Sequence, residues 1–355
     1  MDYARLSDGA ADAVGDVLAG RARGLAVDTS GSTGTPSEVL LSTAALRASA
    51  TATLTHLGGD GHWLLALPTE RIAGAMVVMR AALSGMALTT VAPGPFTARS
   101  FVEAAQQLPA QGRHYVSLVP TQMHRVLADA EGRAALAAFD AVLVGGAAWS
   151  PSPLVARAQA SAQVKVVRTY GMTETAGGCV YDGVPIGDTQ VRLREDGRIC
   201  LASASLADAY RPERADAWEH ADGRRWLVTA DMGQWDEQGR LQVLGRVDEV
   251  ITSGGMKVHP RPVEQAINSL LWVGESAVVG VPDAEWGSKV VAFVVPIERT
   301  NTQRLSQVRE ALREALPAYA LPRELVVVEG LPRQPSGKVD YSKLRGIAAD
   351  LGRTA

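Results

Sequence analysis

The sequence predicts an α/β protein: a large N-terminal domain on a mostly parallel sheet, carrying a small β subdomain, then an α+β C-terminal domain. Three observations predict it. Short apolar runs stopped by proline or glycine alternate with alanine-rich amphipathic stretches as far as about residue 188, the pattern of strands and helices wound into one parallel sheet. Alternating hairpins follow. Beyond residue 248 come further apolar runs, enough for a core of their own.

Leu25, Ala26 and Val27 form the first buried run, and a loop rich in glycine and hydroxyl residues follows it. Residues 43–57 read as the next helix. Residues 62–68 and 114–120 read as buried strands, each closed by proline. Ala141–Val144 is another, followed directly by Gly145 and Gly146, and residues 165–170 lead into Gly171. In parallel sheets ligands bind beyond the carboxyl ends of strands, and three of these strands end in Gly-rich or Tyr-Gly turns. Residues 191–201 alternate about a turn at Asp196-Gly197, and residues 233–244 form a similar hairpin. The C-terminal core is expected from runs at 276–281, 290–295 and 324–328. The expected organisation is an N-terminal domain over 1–247, with its β-rich subdomain at 188–247, and a C-terminal domain over 248–355.

The composition is that of an ordinary soluble enzyme: 46% apolar, 21% charged, net charge −3 over 355 residues. No basic excess points to nucleic acid or an anionic membrane surface. Asp2, Asp8, Asp12 and Asp16 crowd the N-terminus without a long apolar run, so no secretory signal is expected. No segment approaches the roughly 18 apolar residues of a membrane helix. Cys179 and Cys200 make no disulfide framework, and no Cys/His spacing suits zinc. They read as small buried hydrophobes in a reducing compartment, which makes the cytoplasm the expected location.

The residues 28–36, Asp-Thr-Ser-Gly-Ser-Thr-Gly-Thr-Pro, carry the strongest chemical signal. Glycines let backbone N–H groups close on an anion, and hydroxyls add donors that follow a moving phosphate. The Gly-Lys-Ser/Thr ending of a Walker loop is missing, and the glycine spacing is wrong for a dinucleotide fingerprint. Four more clusters follow. Tyr170, Gly171, Met172, Thr173 and Glu174 combine a stacking ring, a close backbone approach and a carboxylate suited to Mg²⁺. Asp231, after Thr229-Ala230, offers a carboxylate to two ribose hydroxyls. The last two are residues 245–257, from Gly245-Arg246 to Gly254-Gly255-Met256-Lys257, and residues 332–338, ending in Lys338.

In this order and separation the five clusters resemble the adenylate-forming superfamily of acyl- and aryl-CoA ligases, adenylation domains and firefly luciferase. The resemblance runs from about residue 25 to the end of the chain and leaves out roughly the family's usual N-terminal third. Residues 177–183, Gly-Gly-Cys-Val-Tyr-Asp-Gly, resemble the short actinobacterial o-succinylbenzoate–CoA ligases of menaquinone biosynthesis in particular. The resemblance implies ATP, Mg²⁺ and CoA, and a reaction through an acyl-adenylate. It implies that Thr29, Ser30, Gly31, Ser32, Thr33 and Gly34 hold the β- and γ-phosphates, that Thr173 meets the α-phosphate and that Glu174 binds Mg²⁺. Tyr170 and Gly146 pack about the adenine, Gly171 binds the nucleotide beside them, and Asp231 and Arg246 grip the ribose. Lys338 bridges the substrate carboxylate and the phosphoryl oxygen. Asp248 becomes the hinge of a mobile C-terminal domain, with Gly254 and Gly255 lining the CoA tunnel. Gly177 and Gly178 line the acyl pocket, and a homodimer is a common assembly of the family.

Two departures stand out. The family's loop usually continues Thr-Pro-Lys, whereas this chain has Ser37 and Glu38 after Thr35-Pro36; the lost cation and added acid are expected to weaken nucleotide binding. Where these ligases commonly carry histidine after Leu-Pro, this chain has Thr69, Glu70 and Arg71. Arg71 is therefore a candidate for holding an anionic substrate, with a surface ion pair as its alternative role. Thr121 and Gln122 are weaker candidates for the same wall. Three activities fit: an o-succinylbenzoate–CoA ligase, another aryl- or acyl-CoA ligase, or an adenylation module that loads a carrier protein. A nucleotide-binding relative without catalysis is the remaining reading.

Overall fold

The computed structural model describes residues 2–29, 37–147, 149, 151, 153–298, 304–334 and 338–354. In chain order the strands and helices begin with β1 (Ala4–Arg5), α1 (Ala10–Leu18), β2 (Gly24–Thr29), β3 (Ser37–Ser42), α2 (Thr43–His56), β4 (His62–Leu65), α3 (Ile72–Ser84) and β5 (Leu88–Thr90). They continue with α4 (Ala98–Ala105), β6 (His114–Leu118), α5 (Pro120–Ala128), α6 (Ala130–Ala137), β7 (Ala141–Val144), α7 (Pro153–Ser161), β8 (Val166–Met172), β9 (Gly177–Tyr181) and β10 (Val184–Pro185). The β-rich stretch holds β11 (Gln190–Leu193), β12 (Arg198–Ala202), β13 (Ala209–Arg211), β14 (Trp218–Ala221), β15 (Arg224–Trp235) and β16 (Leu241–Arg246). The last set is β17 (Ile251–Ser253), β18 (Met256–Val258), α8 (Pro260–Asn268), β19 (Val273–Asp283), β20 (Gly287–Pro296), α9 (Leu305–Leu312), β21 (Glu324–Val327) and α10 (Tyr341–Thr354).

Two compact units emerge. The first comprises residues 1–149, 158–229 and 235–241; the second comprises 150–157, 230–234 and 242–355. The first contains the expected sheet, a seven-stranded one of order β10-β9-β8-β7-β6-β4-β5. Its strands from β8 to β5 pair in parallel, and β9 and β10 extend it antiparallel. Trp63, Leu64, Tyr115, Val116 and Val142 on these strands are fully buried, as are Met76, Met79 and Phe101 on flanking helices. Strands covered on both faces read as continuous apolar runs, which is why they were legible.

The phosphate-loop segment differs from the expectation. Its flanks do not join the parallel sheet: β2 and β3 form an antiparallel hairpin in a separate sheet of order β1-β2-β3-β13. Leu25, Val27, Val39 and Leu41 bury one face of that hairpin. Ser42 closes it, its hydroxyl accepting the Ala45 N–H at 3.3 Å to start α2.

The second unit is built on the sheet β19-β20-β21. Residues alternate between its faces. Val278, Val290, Ala292 and Val294 pack with Val263 and Ile267 of α8 and Val308 and Leu312 of α9. Ala277, Val279, Val291 and Phe293 pack with Leu344 and Ala348 of α10. Among the described residues no helix is long and apolar enough to cross a membrane.

Candidate active site

In the first unit the site residues cluster around the turn from β8 to β9. Tyr170 and Gly171 end β8, and Thr173–Thr175 form a single 3₁₀ turn. The Thr175 hydroxyl fixes that turn, donating to Gly177 O at 2.6 Å and accepting the Met172 N–H at 2.9 Å. A β-carbon on Gly171 would collide with the Gly177 carbonyl, and one on Gly145 with the Thr169 hydroxyl. Gly146, just after β7, has φ +79° and Gly177 has φ +95°, conformations that favour glycine. Glycine at these positions lets the strands and the turn approach without side chains in the way.

Glu174 is held from two directions. Its carbonyl accepts the Ala207 N–H at 2.8 Å, and its Oε1 accepts the Tyr210 hydroxyl at 2.8 Å. Burial first, and then the carboxylate itself, pushes the Tyr210 hydroxyl well above its usual range, so it remains a donor. Oε2 has no partner among the described residues. No group of three or more His, Cys, Asp or Glu that could hold a metal occurs among them. One oriented carboxylate nevertheless fits Mg²⁺, which usually takes one or two carboxylates and completes its shell with phosphates and water.

Tyr210 lies on β13, paired with Val39 of β3, and Val39 pairs with Val27 of β2. Side-chain alternation therefore puts Tyr210 on the same sheet face as Thr29 and Ser37, the described residues on either side of the expected phosphate loop. The Thr29 hydroxyl donates to Ser37 O at 3.0 Å and meets its hydroxyl at 3.0 Å. Ser30, Gly31, Ser32, Thr33 and Gly34 lie outside the described residues. Glu38 points to the opposite face, where Arg5 and Arg211 pair with it at 2.9 and 3.4 Å. The added acid is thus neutralised on the face turned away from Glu174.

Beside Gly177, expected to line the acyl pocket, stands a residue that sequence reasoning missed. Arg80 of α3 is 4% exposed, and its guanidinium lies 5.3 Å over the Trp63 ring. A β-carbon built on Gly177 would sit 3.8 Å from Arg80 Nη2. Nε of Arg80 has no hydrogen-bond partner among the described residues. Burial pulls this guanidinium below its usual range, while the Tyr181 hydroxyl opposes the shift. The signal was present: one arginine interrupts the apolar run 72–82, and a buried unpaired charge is rare enough to need a reason. Arg71, in contrast, is exposed at the N-cap of α3. Gln122 is occupied internally, accepting the Val119 N–H at 3.0 Å and donating to Ala66 O at 2.7 Å.

The remaining site residues belong to the second unit. Asp231 is close enough to Arg246 to act on it electrostatically. Burial lowers the Arg246 pKa, but the Asp248 hydrogen bond and the charges of Asp248, Asp231 and Glu249 outweigh it and raise it overall. Arg246 Nε meets Asp248 Oδ1 at 2.9 Å. Gly254 and Gly255, with φ +57° and +77°, make the two-residue turn between β17 and β18, as a tight antiparallel hairpin requires. Gly254 also packs under Trp286, whose ring would lie 3.0 Å from an added β-carbon. Lys338 is exposed.

A large α/β unit, a smaller α+β unit and this set of residues define an adenylate-forming enzyme fold. The family model described as AMP-binding enzyme matches residues 29–210, and that of the AMP-binding enzyme C-terminal domain matches residues 262–338. The chain belongs to the AMP-binding enzyme family. It is 42% identical over 325 residues to a probable 2-succinylbenzoate–CoA ligase of Mycobacterium tuberculosis, covering 90% of this chain and 83% of that one. It is 30% identical over 332 residues to the 2-succinylbenzoate–CoA ligase of Listeria monocytogenes, covering 89% and 68%. Among solved structures, o-succinylbenzoate CoA synthetase (MenE) from Bacillus subtilis shares the fold. Its complex with the acyl-adenylate intermediate OSB-AMP gives a TM-score of 0.73 at 24% identity, covering 90% and 68% of the two chains. The same synthetase has been solved with ATP and magnesium ion.

Proposed function

We propose that this chain is an AMP-forming acid–thiol ligase that joins o-succinylbenzoate to CoA through an acyl-adenylate, in menaquinone biosynthesis. The observation that carries the substrate assignment is Arg80. o-Succinylbenzoate has two carboxylates, of which the succinyl one is activated and the ring one is left to be recognised. A buried guanidinium beside the side-chain-free Gly177-Gly178 wall suits a fixed carboxylate, and an acid lacking it would leave Arg80 unpaired.

The chemistry has two halves. An oxygen of the succinyl carboxylate attacks the α-phosphorus of ATP, and the bond to pyrophosphate breaks. The CoA sulfur then attacks the acyl carbon, the C–O bond breaks, and that oxygen leaves on AMP. Positioning and charge stabilisation carry such a reaction. Thr29 and the loop after it hold the terminal phosphates, Thr173 the α-phosphate, and Tyr170, Gly171 and Gly146 the adenine. Asp231 and Arg246 take the ribose. Glu174 and the nucleotide's phosphates would hold Mg²⁺, which offsets phosphate charge when bound. Lys338 supplies the cation for the first half, Asp248 the hinge between halves, and Gly254 and Gly255 the smooth backbone for the pantetheine arm.

A cytoplasmic homodimer is part of the same proposal, supported by the family resemblance; sedimentation at micromolar concentration tests the dimer. The substrate test compares o-succinylbenzoate with the same acid lacking its ring carboxylate. Thioester formation that favours the diacid by about 100-fold or more in kcat/KM supports the assignment. Equal use of both acids would keep the ligase and remove the substrate.

A further inference from the structure

Lys338 sits on a short ribbon of chain. Residues 332–334 and 338–340 run antiparallel: the Asp340 N–H donates to Pro332 O at 2.8 Å, the Gln334 N–H donates to Lys338 O at 2.9 Å, and Arg333 bridges Val339. Lys338 is exposed. A long, flexible side chain can deliver its charge only as accurately as its backbone is held.

Both legs of the ribbon are tied to β19. On one leg, Arg333 meets the Glu275 carboxylate at 2.5 Å. On the other, Tyr341 opens α10 three residues after Lys338, and its hydroxyl donates to Glu264 Oε1 at 3.0 Å. The same oxygen accepts the Val278 N–H at 2.9 Å, and the Ser276 hydroxyl donates to the Glu264 carbonyl at 3.3 Å. Among the described residues β19 is an edge strand, so Glu264 also satisfies a backbone donor that no further described strand covers.

Glu264 is an expensive way to fill a core position. It is 8% exposed, and burial pushes it up to about 7 against the Val278, Tyr341 and Arg261 interactions that lower it, with Glu249 adding to the rise. An apolar residue of that size is often at least as stable. Retaining the carboxylate makes sense if its contact with Tyr341 has a use.

We propose that Glu264 with Tyr341, and Glu275 with Arg333, form a clamp that positions Lys338 for the adenylation half-reaction. The four are positioning residues, and the idea rests on the ligase reading above. Because Lys338 serves only the first half, loosening the clamp separates the two halves, whereas general damage to the unit does not.

Tyr341→Phe is assayed for pyrophosphate release from ATP with o-succinylbenzoate, and separately for thioester formation from supplied acyl-adenylate and CoA. The clamp predicts an adenylation kcat lower by about tenfold with unchanged KM values, and thioester formation within about twofold of the parent. Glu264→Gln keeps an acceptor for both donors and is expected to stay near the parent in both assays. Should Tyr341→Phe fail to fold, Glu275→Gln frees the exposed leg and takes its place. Equal losses in both halves, or no loss in either, would overturn the clamp. Hydrogen exchange needs no activity: the Gln334 and Asp340 amides should exchange about tenfold faster in Tyr341→Phe and Glu275→Gln, and near the parent rate in Glu264→Gln, with β20 amides unchanged. If the parent forms no adenylate with any acid, the ligase reading falls while the exchange result still decides the clamp; unchanged exchange at both amides overturns it.

Discussion

At the scale of single residues, Arg80 stands apart. Its charge is buried, its Nε has no partner among the described residues, and it abuts Gly177. A group arranged that way costs the empty protein and benefits the loaded one. Arg80→Met should lower kcat/KM for o-succinylbenzoate about 100-fold, from the loss of roughly 3 kcal/mol of charge-assisted bonding, and leave the KM for ATP unchanged. Its thermal midpoint should stay level or rise, because an apolar residue replaces a buried charge with no ion pair among the described residues. Steady-state kinetics and a melt on the same sample check both halves. Arg71, exposed at the start of the same helix, should change the same kcat/KM less than threefold when replaced by alanine. Arg71 is legible in the sequence because it stands where a family histidine is expected. Arg80 is not, because helix periodicity alone does not say which buried position lies beside Gly177.

At the scale of elements, two hairpins illustrate how local rules position chemistry. The turn between β17 and β18 needs two residues with positive φ and supplies them as Gly254-Gly255. Gly254→Ala meets both the backbone penalty and the Trp286 ring, so the second unit should lose about 1 kcal/mol or more, read by denaturant unfolding. Strands β2 and β3 flank the residues proposed to hold phosphate, and β3 pairs with β13, whose Tyr210 hydroxyl donates to Glu174. Tyr210→Phe removes that bond. A Mg²⁺ titration of nucleotide binding by calorimetry should show the requirement for Mg²⁺ raised several-fold, with affinity for the acid unchanged. The buried strands at 62, 114 and 141 were legible because each is a short apolar run ended by Pro or Gly. The separate sheet that β2 and β3 join was not. Leu25, Ala26 and Val27 look like any other buried strand, and β13, which pairs with their neighbour β3, lies some 170 residues further along the chain.

At the scale of the whole molecule, stability and chemistry both carry checkable signatures. Glu264 is raised from 4.5 to about 7, chiefly by burial. The folded state therefore binds this proton more tightly than the unfolded one. Its contribution is fully present below pH 4.5 and is lost as pH rises through 7, a swing of about 3 kcal/mol in the second unit. Exchange of the β19–β20 amides should accelerate across that window in the parent and much less in Glu264→Gln. The enzyme class is readable in the order of motifs along the chain, since each motif is a run of neighbouring residues. Pairing across elements is not: Glu38 with Arg5 and Arg211, and Glu264 with Tyr341, join residues far apart in sequence. An acyl-adenylate intermediate leaves its signature in oxygen transfer. o-Succinylbenzoate labelled with ¹⁸O in its succinyl carboxylate is turned over with ATP, Mg²⁺ and CoA, and the nucleotide product is weighed by mass spectrometry. Adenylation requires AMP carrying one labelled oxygen together with the CoA thioester. Unlabelled AMP, or ADP with labelled phosphate, would contradict it.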